Sequence, residues 1–290
     1  MDPRPQAADH DPVVVTGAGH VLGAPCDPTP WLKVRKNRKF MGVQDDLAVA
    51  AAGQALRAAG LESAALGERA GIYMSVGYVP FEREHLDLLR ASSVDAEGRI
   101  SPLRFSRDAF AALNPLLTFR CLSNMPAFHL SVNFDVQGPY LVSYPGAGQL
   151  YLALEEAVEA LRTRQVDVAL VCGVAHQRNA LVEHHFSRLD PPAAAERLLD
   201  GAGCLVLEMA RHAGERARAR LRALEVAYTP AHPFEDTLVA DERAWGARLP
   251  DGLLGPASLP VLVSLGLGAE IRHQVHTADG VHGVSTWSSA

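Results

Sequence analysis

The stretch Tyr140-Leu141-Val142-Ser143-Tyr144-Pro145-Gly146-Ala147-Gly148, followed on to Gly173, decides how the rest of the chain is read. Tyr140 to Ser143 is a short β-rich run, and Pro145-Gly146 turns it. Beyond the turn, Leu150, Leu154, Val158 and Leu161 recur at intervals of four, four and three, which places one apolar stripe along a helix. Arg162 and Arg164 stand at its far end, where the helix dipole favours cations. Val166 to Val171 then reads as a buried strand, closed by Cys172-Gly173. Strand, helix and strand in this order form the unit of an α/β layer structure.

Working outward, Val13-Val14-Val15-Thr16 is another short apolar strand, and Gly71 to Gly77 a third. Asp45 to Ala59 is rich in Ala and Leu, with acids at its front and Gly60 at its end, the signature of a capped helix. Residues 84 to 130 read mostly as helix and loop. Leu205-Val206-Leu207, Leu221 to Tyr228 and Leu259 to Leu265 complete the strand candidates. Strands alternating with long helices predict a buried, largely parallel sheet. A boundary is expected near Pro230 to Pro233.

The 290 residues can bury a large core, and 48% apolar with 21% charged residues is a globular composition. A net charge of -6 argues against nucleic-acid or anionic-membrane partners. Lys33, Lys36 and Lys39, the only lysines, lie in one run with Arg35 and Arg38. That run is either a solvated loop or a docking spot for an acidic partner. Cys26, Cys121, Cys172 and Cys204 show no CxxC spacing and fit a reducing cytoplasm. No signal-like opening and no long apolar span occurs, so a cytoplasmic location is expected.

Several catalytic motifs are weighed and set aside. Gly17-Ala18-Gly19 after a strand invites a dinucleotide-binding loop, but Leu22 stands where the third glycine belongs, and Pro25 and Pro28 interrupt the helix that should follow. No cofactor is expected. His184-His185 and the set His273, His276 and His282 are better read as scattered histidines than as a metal centre. Ser143 lies two residues too early for a nucleophile elbow.

Asn124-Met125-Pro126-Ala127-Phe128-His129-Leu130-Ser131-Val132 through Gln137-Gly138-Pro139 resembles the NM-x-A-x-H-L-S-x…GP segment of β-ketoacyl synthases. Val13 to Gly19, Arg38-Lys39-Phe40-Met41, Gly71 to Gly77, Val166 to Gly173 and Asp200-Gly201-Ala202-Gly203-Cys204-Leu205-Val206-Leu207-Glu208 resemble further landmarks of that family, in order. In active members a cysteine follows the GP by eight residues, at a helix N-terminus that lowers its pKa. Counting eight residues from Pro139 reaches Ala147. The family's HGTGT-like and K-x-x-x-GH-like motifs are also missing, and no lysine lies beyond Lys39.

The resemblance implies a thiolase-like layered fold. A flexible tail at 1–11 and an N-terminal half at 12–235 are expected, with 236–290 a strongly shortened remnant of the C-terminal half. Within the family the sequence is most similar to the chain length factor, or ketosynthase-β, of type II polyketide synthases, and the resemblance extends the expectation to a polyene-making branch and to antibiotic biosynthesis. Such a subunit has no condensing activity of its own. It pairs with an active ketosynthase-α, meets the acyl carrier protein mainly through that partner, and shapes the acyl tunnel. The resemblance places the dimer-interface strand at Tyr140, Leu141, Val142, Ser143 and Tyr144. The tunnel gate is expected at Leu116, Leu117 and Phe119, with Phe110 and Leu113 behind. Two alternatives remain: a degenerate ketosynthase-like scaffold homodimer, and a thiolase-fold acyltransferase or hydrolase using Ser143 or a histidine such as His176.

Overall fold

The computed structural model describes residues 11–190, 192–229 and 240–290. Residues 1–10 of the tail expected at 1–11, the boundary near 230–235 and the side chain of Phe110 lie outside the described residues, while Asp11 accepts from the Arg211 main-chain N–H at 3.0 Å. The strands are β1 (Val13–Leu22), β2 (Ala70–Val76), β3 (Tyr140–Ser143), β4 (Val168–Ala175), β5 (Gly201–Met209), β6 (Ala219–Tyr228), β7 (Ala240–Trp245), β8 (Ile271–Thr277) and β9 (Val281–Ser289). The helices are α1 (Val43–Ala58), α2 (Arg83–Ser93), α3 (Pro102–Arg104), α4 (Phe110–Ala112), α5 (Leu117–Cys121), α6 (Met125–Phe134), α7 (Ala147–Arg162), α8 (Ala180–Ser187), α9 (Ala210–Ala213) and α10 (Ser258–Leu265).

All nine strands join one sheet in the order β3-β2-β4-β5-β1-β6-β9-β8-β7. Its core has two layers. On one face α7 and α10 bury Leu150, Leu154, Val158, Leu161, Leu259 and Leu262 against β1, β4 and β5. On the other, α1 and α6 cover Ile72, Met74, Leu170, Val174 and Val206. The helix read from Asp45 to Ala59 and the stripe Leu150 to Leu161 therefore supply the two opposing faces.

The sheet corrects the expectation of largely parallel strands. Among the described strands only β3, β2 and β4 run parallel, and every other pairing is antiparallel. Parallel neighbours need a helical crossover, which α7 provides between β3 and β4. Beyond β4 the described strands pair antiparallel: α10 lies in the connection between β7 and β8, and β8–β9 is a hairpin. Helix–strand alternation in sequence does not by itself specify this.

A second correction concerns Leu259 to Leu265, which is helix α10 and not a strand. A continuous apolar run is ambiguous between a buried strand and a buried helix. Pro260 falls in the first turn, where its missing N–H costs no hydrogen bond. The sheet is shaped to receive this helix. A Cβ on Gly203 would lie 2.7 Å from the Val261 nitrogen, and one on Gly173 would lie 1.9 Å from the Pro256 carbonyl oxygen.

Gly17 and Gly19 have the same explanation. They sit inside β1, where added Cβ atoms would meet the Ala55 and Ala51 carbonyls of α1 at 2.1 and 2.4 Å. These glycines let α1 lie on the strand; they do not form a phosphate-binding loop. Glu208, the last residue of the Asp200–Glu208 motif, is fully buried. It accepts hydrogen bonds from Thr16 (2.7 Å) and Arg216 (2.5 and 2.7 Å), with His212 at 2.8 Å.

Candidate functional site

The turn after β3 delivers the chain directly into α7, with Gly146 as the N-cap and Ala147 as the first helical residue. Ala147 is only 8% exposed and belongs to the core. The hairpin β8–β9 lies over the first turn of α7. A Cβ on Gly148 would come within 2.8 Å of Thr277 Oγ1 and 3.1 Å of Val281 Cβ. Gln149 Nε2 donates to Asp279 Oδ2 at 3.1 Å, and Asp279 also accepts from Thr277 Oγ1 at 2.5 Å. On the opposite side Tyr144 stacks on Tyr78, with ring centroids 5.6 Å apart. A helix N-terminus suited to stabilising an anion is thus closed by the chain's own hairpin and carries a methyl group. It cannot form a thioester.

Ser143, the candidate hydroxyl of the alternative reading, faces the main chain. Its hydroxyl is engaged by main-chain carbonyls, Gln149 at 2.9 Å and Met74 at 3.2 Å. His176 is elsewhere engaged, since its ring nitrogens face Asp200 (3.0 Å) and Glu82 (3.1 Å). Burial opposes its charge, but the bonds and charges of Asp200 and then Glu82 outweigh this and hold the imidazole above its ordinary value. The motif residue His129 is buried, its two ring nitrogens have no hydrogen-bond partner, and burial pushes its pKa down to about 4. It is a neutral core histidine.

Among the described residues β3 forms one edge of the sheet and pairs only with β2. Tyr140 is 69% exposed, while Leu141, Val142, Ser143 and Tyr144 are half-buried. Beside this edge lies a cavity of about 380 Å³ lined by Ile72, Ala127, Phe128, Gly138 and Tyr140. The gate residues are less tightly grouped. Leu117 is buried at the start of α5, Leu113 and Leu116 are half-buried, and Phe119 is exposed with its ring edge-on to Phe40 at 5.9 Å. None of these lines the cavity at the β3 edge.

His273 and His276 point to opposite faces of β8. His273 is buried and bonded to Tyr151 (2.8 Å) and Glu242 (2.7 Å), whereas His276 is exposed and stacks on His282. Among the described residues no group of three or more His, Cys, Asp or Glu could hold a metal ion. Of the basic run, Arg38 pairs with Asp46 at 2.7 Å, and Lys39 lies over the Phe40 ring. Sequence reasoning missed the Glu82–His176–Asp200 array and the Tyr151–His273–Glu242 network. The sequence singled out Asp200, His176 and His273 one by one, but gave no sign of the partners Glu82, Tyr151 and Glu242 that join them.

A profile of the β-ketoacyl synthase N-terminal domain matches residues 4–213. The chain belongs to the β-ketoacyl synthase family. A search of curated protein sequences finds no match. Among solved structures, this ketosynthase-family chain is similar to a chain of AntDE:AntF, described as a type II PKS acyl-carrier protein in complex with its ketosynthase bound to the hexaketide. The TM-score is 0.71 at 15% identity, covering 97% of this chain and 100% of that chain. It is also similar to a β-ketoacyl synthase from Burkholderia phymatum (TM-score 0.57, 18% identity, 77% of this chain and 66% of that chain). A third is the ishigamide ketosynthase/chain length factor (TM-score 0.55, 21% identity, 77% and 65%). At these identities the likeness is one of fold, the thiolase-like ketosynthase fold. No helix among the described residues is long and apolar enough to cross a membrane.

Proposed function

We propose that this chain is a non-catalytic, chain-length-factor-like subunit that pairs with an active ketosynthase and shapes its acyl tunnel during polyketide elongation. The observation that carries the reading is Ala147. It occupies the head of α7, where the family's nucleophile belongs, is 8% exposed, and is followed by Gly148 and Gln149, against which the β8–β9 hairpin packs. A subunit without its own chemistry is retained for shape and contacts. The edge strand β3, with the exposed Tyr140 and Phe128 beside one cavity, gives it a surface for a partner. In this reading β3 meets its counterpart in the ketosynthase, and Leu116 and Leu117 stand near the end of the growing chain. The acyl carrier protein is engaged mainly through the partner.

Co-expression with a ketosynthase that carries an intact Cys-His-His set should give a one-to-one complex, and the chain alone should not condense malonyl-loaded carrier protein. Condensation by a verified single subunit would refute the proposal. Stable homodimers that exclude the ketosynthase would favour the scaffold alternative.

A further inference from the structure

His176 follows β4 and is 6% exposed, yet both of its ring nitrogens face carboxylate oxygens. Asp200, buried just before β5, receives Nδ1 at 3.0 Å and also the Arg178 main-chain N–H at 3.0 Å. Glu82 receives Nε2 at 3.1 Å and has a side chain 43% exposed. Glu82 is the N-cap of α2 and the root of an arm that runs through α2, α3 and α4. This arm is weakly anchored. α2 buries only Ser93 and packs on helical turns of the arm itself. Ile100 and Leu103 are 78% and 68% exposed.

Two carboxylate acceptors require two ring N–H donors, so both bonds exist together only in the imidazolium form. In the neutral ring one nitrogen carries a lone pair. The buried Asp200 keeps the Nδ1 proton, and the lone pair on Nε2 then faces the Glu82 carboxylate. Glu82 can turn to water, whereas Asp200 cannot. The other groups around the site do not substitute for the lost bond. The Arg178 guanidinium donates through Nε to the Leu198 carbonyl. Cys121, near Glu82, has its thiol pushed up to about 11 by burial, and Asp45 beyond it has a carboxyl pushed well up by burial. Both are held towards their neutral forms.

We propose that His176 is a protonation-controlled latch on this arm: charged, it ties Glu82 to Asp200 and holds the arm's root against the ends of β4 and β5; neutral, it releases Glu82 and loosens residues 83–109. The sign follows from a base whose folded pKa lies above 6.5. The latch is fully closed below that value and opens as pH rises through the raised one. Asp200, held below its ordinary value against the effect of burial, stays ionised throughout this range. That the arm's state affects assembly with a ketosynthase rests on the function proposed above; the latch itself does not.

The test is hydrogen–deuterium exchange on the full chain from about pH 6 to about pH 9, corrected for intrinsic exchange, beside NMR titration of the His176 ring. Protection of 83–109 should fall about tenfold for each unit by which the His176 pKa with Glu82 bound exceeds its value with Glu82 released, while β4 and β5 keep theirs. Glu82→Gln should lower the His176 pKa and flatten the pH profile of the arm, because an amide can accept from the charged ring or donate to the neutral one. Wild-type arm protection that does not change with pH, or a Glu82→Gln variant that keeps the wild-type slope, overturns the latch. Failure to co-purify a ketosynthase at any pH would count against the proposed function and leave these two readouts intact.

Discussion

Restoring the missing thiol by Ala147→Cys is the sharpest perturbation of the site. It adds one sulfur at the first residue of α7, at a position 8% exposed. If the surroundings cannot yield, overpacking costs about 1–3 kcal/mol. Reactivity is set by two opposed effects. The helix N-terminus lowers a thiol's pKa, and burial raises it. Two half-buried thiols of this chain that lie away from any helix N-terminus, Cys26 and Cys121, are both pushed up to about 11, chiefly by burial. A thiol with that value carries roughly 300-fold less thiolate near neutral pH than a free one, before any steric block by the hairpin. Alkylation by iodoacetamide, read peptide by peptide by mass spectrometry, should therefore be at least about 100-fold slower at position 147 than for glutathione. No acyl transfer from malonyl carrier protein should appear. Labelling at the rate of a free thiol would show that Thr277, Asp279 and Val281 do not close the site, and the argument from the hairpin would fail.

Other outcomes follow from the packing. Arg216→Ala leaves the fully buried Glu208 without its two guanidinium bonds; urea unfolding should show a loss near the lower end of about 3–5 kcal/mol, since Thr16 and His212 still contact the carboxylate. Gly173→Ala drives a Cβ to 1.9 Å from the Pro256 carbonyl oxygen in a central strand, and should cost about 1–3 kcal/mol or more, read as a lower urea midpoint at unchanged m-value. Leu117→Trp should shorten the product made by the reconstituted ketosynthase complex, as measured by mass spectrometry; an unchanged product distribution would remove Leu117 from the gate.

Much of the fold was legible because it is written locally. The stripe Leu150 to Leu161 needed only its own period to declare α7, and the acids and glycine around α1 marked its ends. The missing nucleophile could be counted from Pro139. What resisted reading depends on partners distant in sequence. Leu259 to Leu265 is apolar on all sides, so its conformation is chosen by the glycines of β4 and β5 that admit a helix backbone. Strand direction beyond β5 depends on which neighbour each strand finds, and no local pattern records that. His176 is an ordinary histidine in sequence; only the fold sets Glu82, 94 residues away, and Asp200, 24 residues away, at its two nitrogens. The sequence by itself determined that the chain has a ketosynthase-like N-terminal half and no cysteine at the head of α7, because periodicity, caps and motif spacing are short-range. Tertiary structure alone decided that β8–β9 closes that helix end and that a charged histidine ties down the arm, because burial and hydrogen-bond geometry exist only once distant segments meet.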